Sequence, residues 1–228
     1  MSERSRRQRT RGVRRLAPRI APAAAIALAM MPRPGRAQDA KEAPSFPYGA
    51  PVVLAPVQSV APFPDGRFPG DAATEGESIG AANAELAFAF AERRGAENWA
   101  MPAAVIRRAE RNPLLRIDPE RLAFQGLLTP IEGQIYEPLH GQLRTLAALF
   151  DARFVVLPVL LRVAVDPPAV EGQRPPGTVH AVLRVAMIDV RRSQVLWQGD
   201  IAGPSGAADS PALLARLAAV VARRLAPS

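Results

Sequence analysis

Few side chains in this chain are equipped for chemistry, and their spacing limits what they can do. The only histidines are His140 and His180. They fall on separate predicted elements, so each reads as a packed or surface residue. His140 has Glu132 and Glu137 close in sequence, and that is the best general acid–base pair available. Asp189 is the most conspicuous carboxylate. It ends an apolar strand beside Arg191 and Arg192, a placement that suits an acid tying down a turn. Asp65-Gly66 and Asp71 suggest a calcium loop, but the alternating acids and terminal glutamate of such a loop are missing. No glycine-rich dinucleotide fingerprint or Walker lysine occurs. Gly203-Pro204-Ser205-Gly206 is a poor imitation of a nucleophile elbow. The expectation is a non-enzymatic protein: catalytic residues none, cofactor-binding residues none, metal ligands none, cofactors none.

Composition narrows the classes further. There is no cysteine, which excludes disulfides, thiol catalysis, thiolate metal sites and an N-terminal lipid anchor. The formal charge is +8, but it is concentrated at one end: ten of the 29 basic residues and one of the 21 acids lie in residues 1–37. From residue 38 onward 19 basic face 20 acidic residues, so the main body carries no footprint for a polyanion. Residues 1–19 are basic, 20–31 apolar, and Gly35-Arg36-Ala37 supplies small residues at a cleavage position. That three-part layout is a secretory signal, with cleavage expected after Ala37. The apolar run is too short to span a bilayer. Arg6-Arg7 and Arg14-Arg15 leave the twin-arginine and general routes both open. The expected division is a signal peptide (1–37), a polar tether (38–50) and one α/β domain (51–228), located in the periplasm or otherwise outside the cytoplasm.

The elements that must position these residues follow from periodicity. Pro51 to Val60 reads as a strand, and 61–76 as a loop rich in Pro, Gly and Asp. Ser78 is the expected N-cap of a helix carrying Ile79, Ala82, Leu86, Ala89 and Phe90 inward, stopping at Gly95. A short strand holds Trp99. Pro102 opens a helix to residue 111, with Arg107, Arg108, Glu110 and Arg111 on its solvated face. A turn of helix at 119–124 and an irregular stretch, 126–137, precede a helix over 138–150. Three strands follow, at about 153–165, 178–190 and 194–202. Pro158 implies a bulge in the first. The second alternates strictly, and Val195 and Trp197 are expected on one face of the third. The linker 166–177 is a long proline-rich hairpin loop. Gly203 to Ala208 reads as a flexible turn, and Asp209 or Ser210 caps a last helix with Leu213, Leu214, Leu217, Val220, Val221 and Leu225 inward. This order implies a mixed β-sheet of about five strands flanked by helices.

Three stretches resemble a known family. They are Val52-Val53-Leu54-Ala55-Pro56-Val57, residues 146–157 (LAALFDARFVVL) and residues 185–198 (VAMIDVRRSQVLWQ). They are similar to the opening strand, the helix-to-strand entry and the hairpin of the envelope-protein superfamily that contains the TolB amino-terminal domain, the curli-secretion lipoprotein CsgG and the penicillin-binding-protein activator LpoB. The resemblance implies a three-layer α/β domain of the anticodon-binding-domain type. It also implies non-enzymatic work, docking onto or assembling envelope machinery.

The function expected is therefore an exported cell-envelope protein that binds or assembles a protein partner. Loops 61–76 and 166–177 are the candidate contact surfaces. No nucleic acid is expected for the mature domain, and no membrane span after leader cleavage. Two alternatives stand beside it. A small periplasmic hydrolase or ligand-binding enzyme would need His140 or Asp189 to meet a converging partner in a pocket. A cytosolic protein with a basic nucleic-acid-binding tail would keep its leader.

Overall fold

The computed structural model describes Phe46, residues 49–63, 65–69, 72–131, 133–166, 178–207, Ser210 and 212–226. The expected leader, most of the expected tether, Asp71, Glu132, residues 167–177, Asp209 and Pro211 lie outside the described residues.

Among the described residues, a mixed sheet of seven strands, three of them only two residues long, carries four helices. The strands are β1 (Val52–Leu54), β2 (Trp99–Ala100), β3 (Gly133–Gln134), β4 (Phe154–Val165), β5 (Thr178–Asp189), β6 (Gln194–Ala202) and β7 (Gly206–Ala207). The helices are α1 (Glu75–Ala91), α2 (Pro102–Glu110), α3 (Leu139–Leu149) and α4 (Ala212–Leu225). The sheet runs β2-β1-β4-β5-β6-β3, with β7 paired to β5. β2, β1 and β4 are parallel, and the rest of the ladder is antiparallel. β4 is central, as its two-sided apolar run predicts. The strands missed from sequence, β3 and β7, are two-residue pairings recruited by the long strands β6 and β5, with no apolar period of their own. They replace part of the expected irregular stretch 126–137 and of the expected turn 203–208.

Alternation divides the core into two layers. α1 and α4 cover one face of the sheet, packing Leu86, Phe90, Leu217 and Val221 against Leu54, Val156, Leu183 and Met187. α2 and α3 cover part of the other, packing Val105, Leu143 and Leu146 against Val53, Val155, Leu157 and Ile188. β5 keeps strict period 2, but its neighbours do not. The β4–β5 register shifts between Pro158 and Leu160. Val159 and Leu160 consequently both face the α2/α3 layer, and Leu161 returns to the other. The bulge expected at Pro158 is present. A second one, between the pairs Met187↔Trp197 and Ile188↔Val195, was not expected. It puts Val195 in the α2/α3 layer and Trp197 in the α1/α4 layer, with Leu196 exposed between them. Val195 and Trp197 do not share a face: the extra residue breaks the period.

Helix ends shift for local reasons. α1 starts earlier than expected, because Thr74 is its N-cap and its Oγ1 accepts from Glu77 N–H. Glu77 in turn accepts from Ala73 N–H, so the pair works as a capping box displaced by one residue. Ser78, expected as the cap, is fully buried and donates to the Pro69 carbonyl. The helix ends at Ala91 rather than running to Gly95. The turn of helix expected at 119–124 forms instead as 3₁₀ turns at Pro113–Leu115 and Phe124–Leu127. Residues 118–121 close a single turn through Arg121 N–H to Asp118 O, and the buried Gln58 amide brackets it, donating to Pro119 O and accepting from Leu122 N–H. The tether is not polar throughout. Phe46 packs edge-on to Trp99 at 5.4 Å and against Phe154 at 5.3 Å.

Candidate functional site

Asp189, Arg191 and Arg192, singled out from sequence, come together at the β5–β6 turn. Asp189 is 1% exposed, so its charge has to be matched. Its Oδ2 accepts from Arg153 Nε at 3.0 Å and Nη2 at 2.6 Å, while Oδ1 accepts from the amides of Arg191 and Arg192. Burial alone would raise this carboxyl. The hydrogen bonds and charge of Arg153, with the two amides, outweigh it and hold the group below the usual carboxylate range. Asp189 is therefore the turn-stabilising acid its position predicts. The turn closes through Arg192 N–H to Asp189 O and continues into Ser193 at φ +55°. A type I turn followed by a left-handed residue is a common longer hairpin connection, used where the Asn-Gly of a tight primed turn is missing.

His140 meets a residue the sequence did not flag. Its Nε2 lies 2.7 Å from Ser193 Oγ, and its Nδ1 lies 3.4 Å from Glu137 Oε1. Nucleophile, base and carboxylate are thus in triad order. Nothing in the sequence joins Ser193 to His140, which lie 53 residues apart. The only signal in the sequence is that the turn Arg191-Arg192-Ser193-Gln194 lacks the Asn-Gly or Asp-Gly of a primed turn. Three details weigh against acyl transfer. Nε2 is also 3.3 Å from the Val190 carbonyl, an acceptor only, so the fitting tautomer has the proton on Nε2 as a donor. A general base for Ser193 needs that nitrogen bare. Glu137 is 70% exposed, and its Oε2 caps Gly141 N–H. The Arg191 and Arg192 amides, the natural oxyanion donors, already point at Asp189. As arranged, His140 pins the hairpin turn to the start of α3.

A second polar cluster sits on the α2/α3 face of the sheet, beyond the reach of α3. Asp200 accepts from Arg184 Nε at 2.7 Å and from Arg162 Nη2 at 3.1 Å, across β5. Burial would raise its carboxyl, and the two arginines more than offset that, lowering it. Arg184 also donates to the Leu128 carbonyl. His180 Nδ1 is 2.6 Å from Asp166 Oδ1, at the foot of the hairpin loop. So His180 and His140 stay apart, each on its own carboxylate. Asp65 is engaged by Arg67 through its amide and guanidinium, which lower its pKa. Among the described residues no cluster of three or more His, Asp or Glu comes together to hold a metal. No described helix is long and apolar enough to cross a membrane.

The concavities are unequal. An open groove of about 800 Å³ runs along α3, lined by Leu115, Arg144, Thr145, Ala148, Asp151 and Arg191 among others. An apolar void of about 10 Å³ lies under α1 and α4. Arg144 was not singled out from sequence, although Gly141, Arg144, Thr145 and Ala148 share one helical stripe.

No family model matches the chain, and no curated protein matches it. Among solved structures, the chain is similar to a PelC point-variant dodecamer from Paraburkholderia phytofirmans at TM-score 0.34 and 13% identity, over 78% of this chain and 93% of that one. A second PelC dodecamer from the same organism gives 0.34 and 14%, over 82% and 94%. The LpoB C-terminal domain from Salmonella enterica gives 0.32 and 14%, over 68% and 84%. LpoB, whose family the three sequence stretches resemble, is thus among the structures similar to this chain. Overlap of this extent does not place the chain in that family.

Proposed function

We propose that this chain is an exported cell-envelope protein that works by binding another protein, with no enzymatic step. The observation that carries the reading is the open groove along α3, whose lining includes Leu115 at 44% exposure. Small-molecule sites enclose most of their ligand. An open groove covers one side of a polypeptide instead, and an exposed leucine in its lining, beside other apolar residues, fits a protein interface. The three-part layout of residues 1–37 and the near-neutral main body support export and argue against a polyanion partner. Loop 61–76 loses standing as a contact surface. Glu75 accepts from Val60 N–H, and Phe68 packs onto the α1/α4 core.

The test combines address and contact. Intact mass from fractionated cells should show a chain starting near Gln38 outside the cytoplasm. A photoreactive residue replacing Ala148 should then give one discrete crosslinked protein. A full-length chain in the cytosol, or no crosslink to protein, overturns the reading.

A second reading, a small hydrolase, has the 2.7 Å contact between Ser193 and His140 in its favour. Labelling of Ser193 by a fluorophosphonate, abolished in His140→Gln, would establish it over the first. An unlabelled protein rules it out.

A further inference from the structure

Two arginines border the groove that the fold does not use. Arg153 is committed to Asp189, and Arg192 approaches the same carboxylate at 3.9 Å. Arg162 and Arg184 share Asp200. Arg144, on α3, and Arg191, on the β5–β6 turn, are exposed and form no ion pair among the described residues. A single exposed arginine is ordinary solvated surface. Here two come from different elements onto one groove whose lining also includes apolar Leu115 and Ala148. Among the described residues, one acid, Asp151, lines that groove.

We propose that the groove receives an acidic, leucine-bearing segment of the partner protein, whose carboxylates meet Arg144 and Arg191 while its apolar side chains rest on Leu115 and Ala148. This rests on the protein-binding reading and specifies its partner. Guanidinium groups pair carboxylates in a forked geometry, and the apolar lining rewards leucine between the acids. A nucleic acid fits poorly. Binding to it is carried by the neutralisation of many phosphates, roughly six to ten for a typical site, whereas this groove offers two cations and an apolar wall. An anionic membrane surface would call for a flat basic face instead of a groove.

Because the chain has no cysteine, the site can be observed locally. Leu115→Cys, labelled with a polarity-sensitive dye, reports groove occupancy in the full chain without interference from the arginine-rich leader. Titration with a twelve-residue peptide of alternating Glu and Leu at 150 mM salt should shift the dye to the blue and saturate. The Lys and Leu counterpart should give no shift. Arg144→Glu with Arg191→Glu should weaken the Glu/Leu peptide at least tenfold at an unchanged melting temperature. Asp151→Asn, which removes that acid and keeps a residue suited to its φ of +48°, should tighten it. Equal affinity before and after the double reversal overturns the proposal. So does a stronger dye response to duplex DNA or to phosphatidylglycerol vesicles than to the peptide. The two readings fail separately. A protein crosslinked at Ala148 as strongly after the double reversal sinks the acidic segment and leaves protein binding intact. Saturable peptide binding with no crosslinked protein in the envelope sinks protein binding.

Discussion

The two faces of the sheet are built to different ends. The α1/α4 face is closed. Two helices of 17 and 14 residues lie over it, and Phe46, Phe90, Trp99 and Phe154 pack ring on ring. Its one fully buried hydroxyl, Ser78, is satisfied by a backbone carbonyl. The α2/α3 face is covered only as far as Leu160 and Ala186. Beyond them the strands present Arg162, Arg184 and Asp200, and at α3 the surface falls into the groove. The first face supplies stability through apolar area. The second spends less of its surface on packing, so charge and shape are left there for recognition.

Truncation on the closed face should have the largest effect. Trp197 is 5% exposed, and Arg224 lies over its ring at 5.4 Å. Trp197→Ala should cost roughly 3–5 kcal/mol. On the other face, Asp200→Asn should cost under about 1 kcal/mol, because both arginines can turn to water. Urea titrations of the two variants test the contrast directly. Similar midpoints would mean that the ion network, as well as the apolar layer, holds the sheet.

Next in size is a change that adds a single methyl group to the closed face. A Cβ at Gly203 would sit 3.0 Å from Leu217 Cα and 3.2 Å from its Cβ, so the backbone of α4 would have to move. Gly203→Ala should lower stability by roughly 1–3 kcal/mol. Gly126, where a Cβ meets nothing, should accept alanine with little effect. A Gly203→Ala protein that melts like the parent would show that α4 is looser than its packing implies.

These contrasts mark what could be read in advance. Long periodic segments were legible: α2, α3, α4 and all three long strands lie where their patterns predict, and Pro158 announced its bulge. Elements whose cause sits elsewhere were not. β3 exists because β6 offers it an edge. The register of β6 depends on an extra residue that Leu196 does nothing to advertise. Thr74 caps α1 through a box that reading from Ser78 passed over. The role of Asp189 was legible because its partners are neighbours in sequence and at the strand entry. Ser193 against His140, and Arg144 beside Arg191, are meetings of distant segments, so composition and spacing carry no trace of them.

The hairpin turn lies at the end of the half-covered face and carries its own charge dependence. Asp189→Ala leaves the Arg191 and Arg192 amides without their acceptor and should cost roughly 1–3 kcal/mol. The sign with pH is fixed by lowered carboxyls at Asp189 and Asp200. Their stabilisation is complete above the unfolded value of about 3.9 and is lost as pH falls through the lower folded values. The parent should therefore lose more melting temperature between pH 6 and pH 2 than Asp189→Asn does. Parallel curves would mean that Asp189 is not held low.

The smallest effect separates backbone from side chain at Ser193. Its φ of +55° strains any residue with a Cβ, and its hydroxyl meets His140. Ser193→Ala keeps the strain and loses the hydroxyl, so it should cost about 1 kcal/mol. Ser193→Gly loses the same hydroxyl and relieves the strain, so it should fall within about 1 kcal/mol of the parent and above the alanine variant. Calorimetry of the pair reads the difference. If the two variants melt together, the turn stores no strain. In that case the residue is kept for its hydroxyl, and the pairing with His140 has to be judged as chemistry instead of as a clasp on the hairpin.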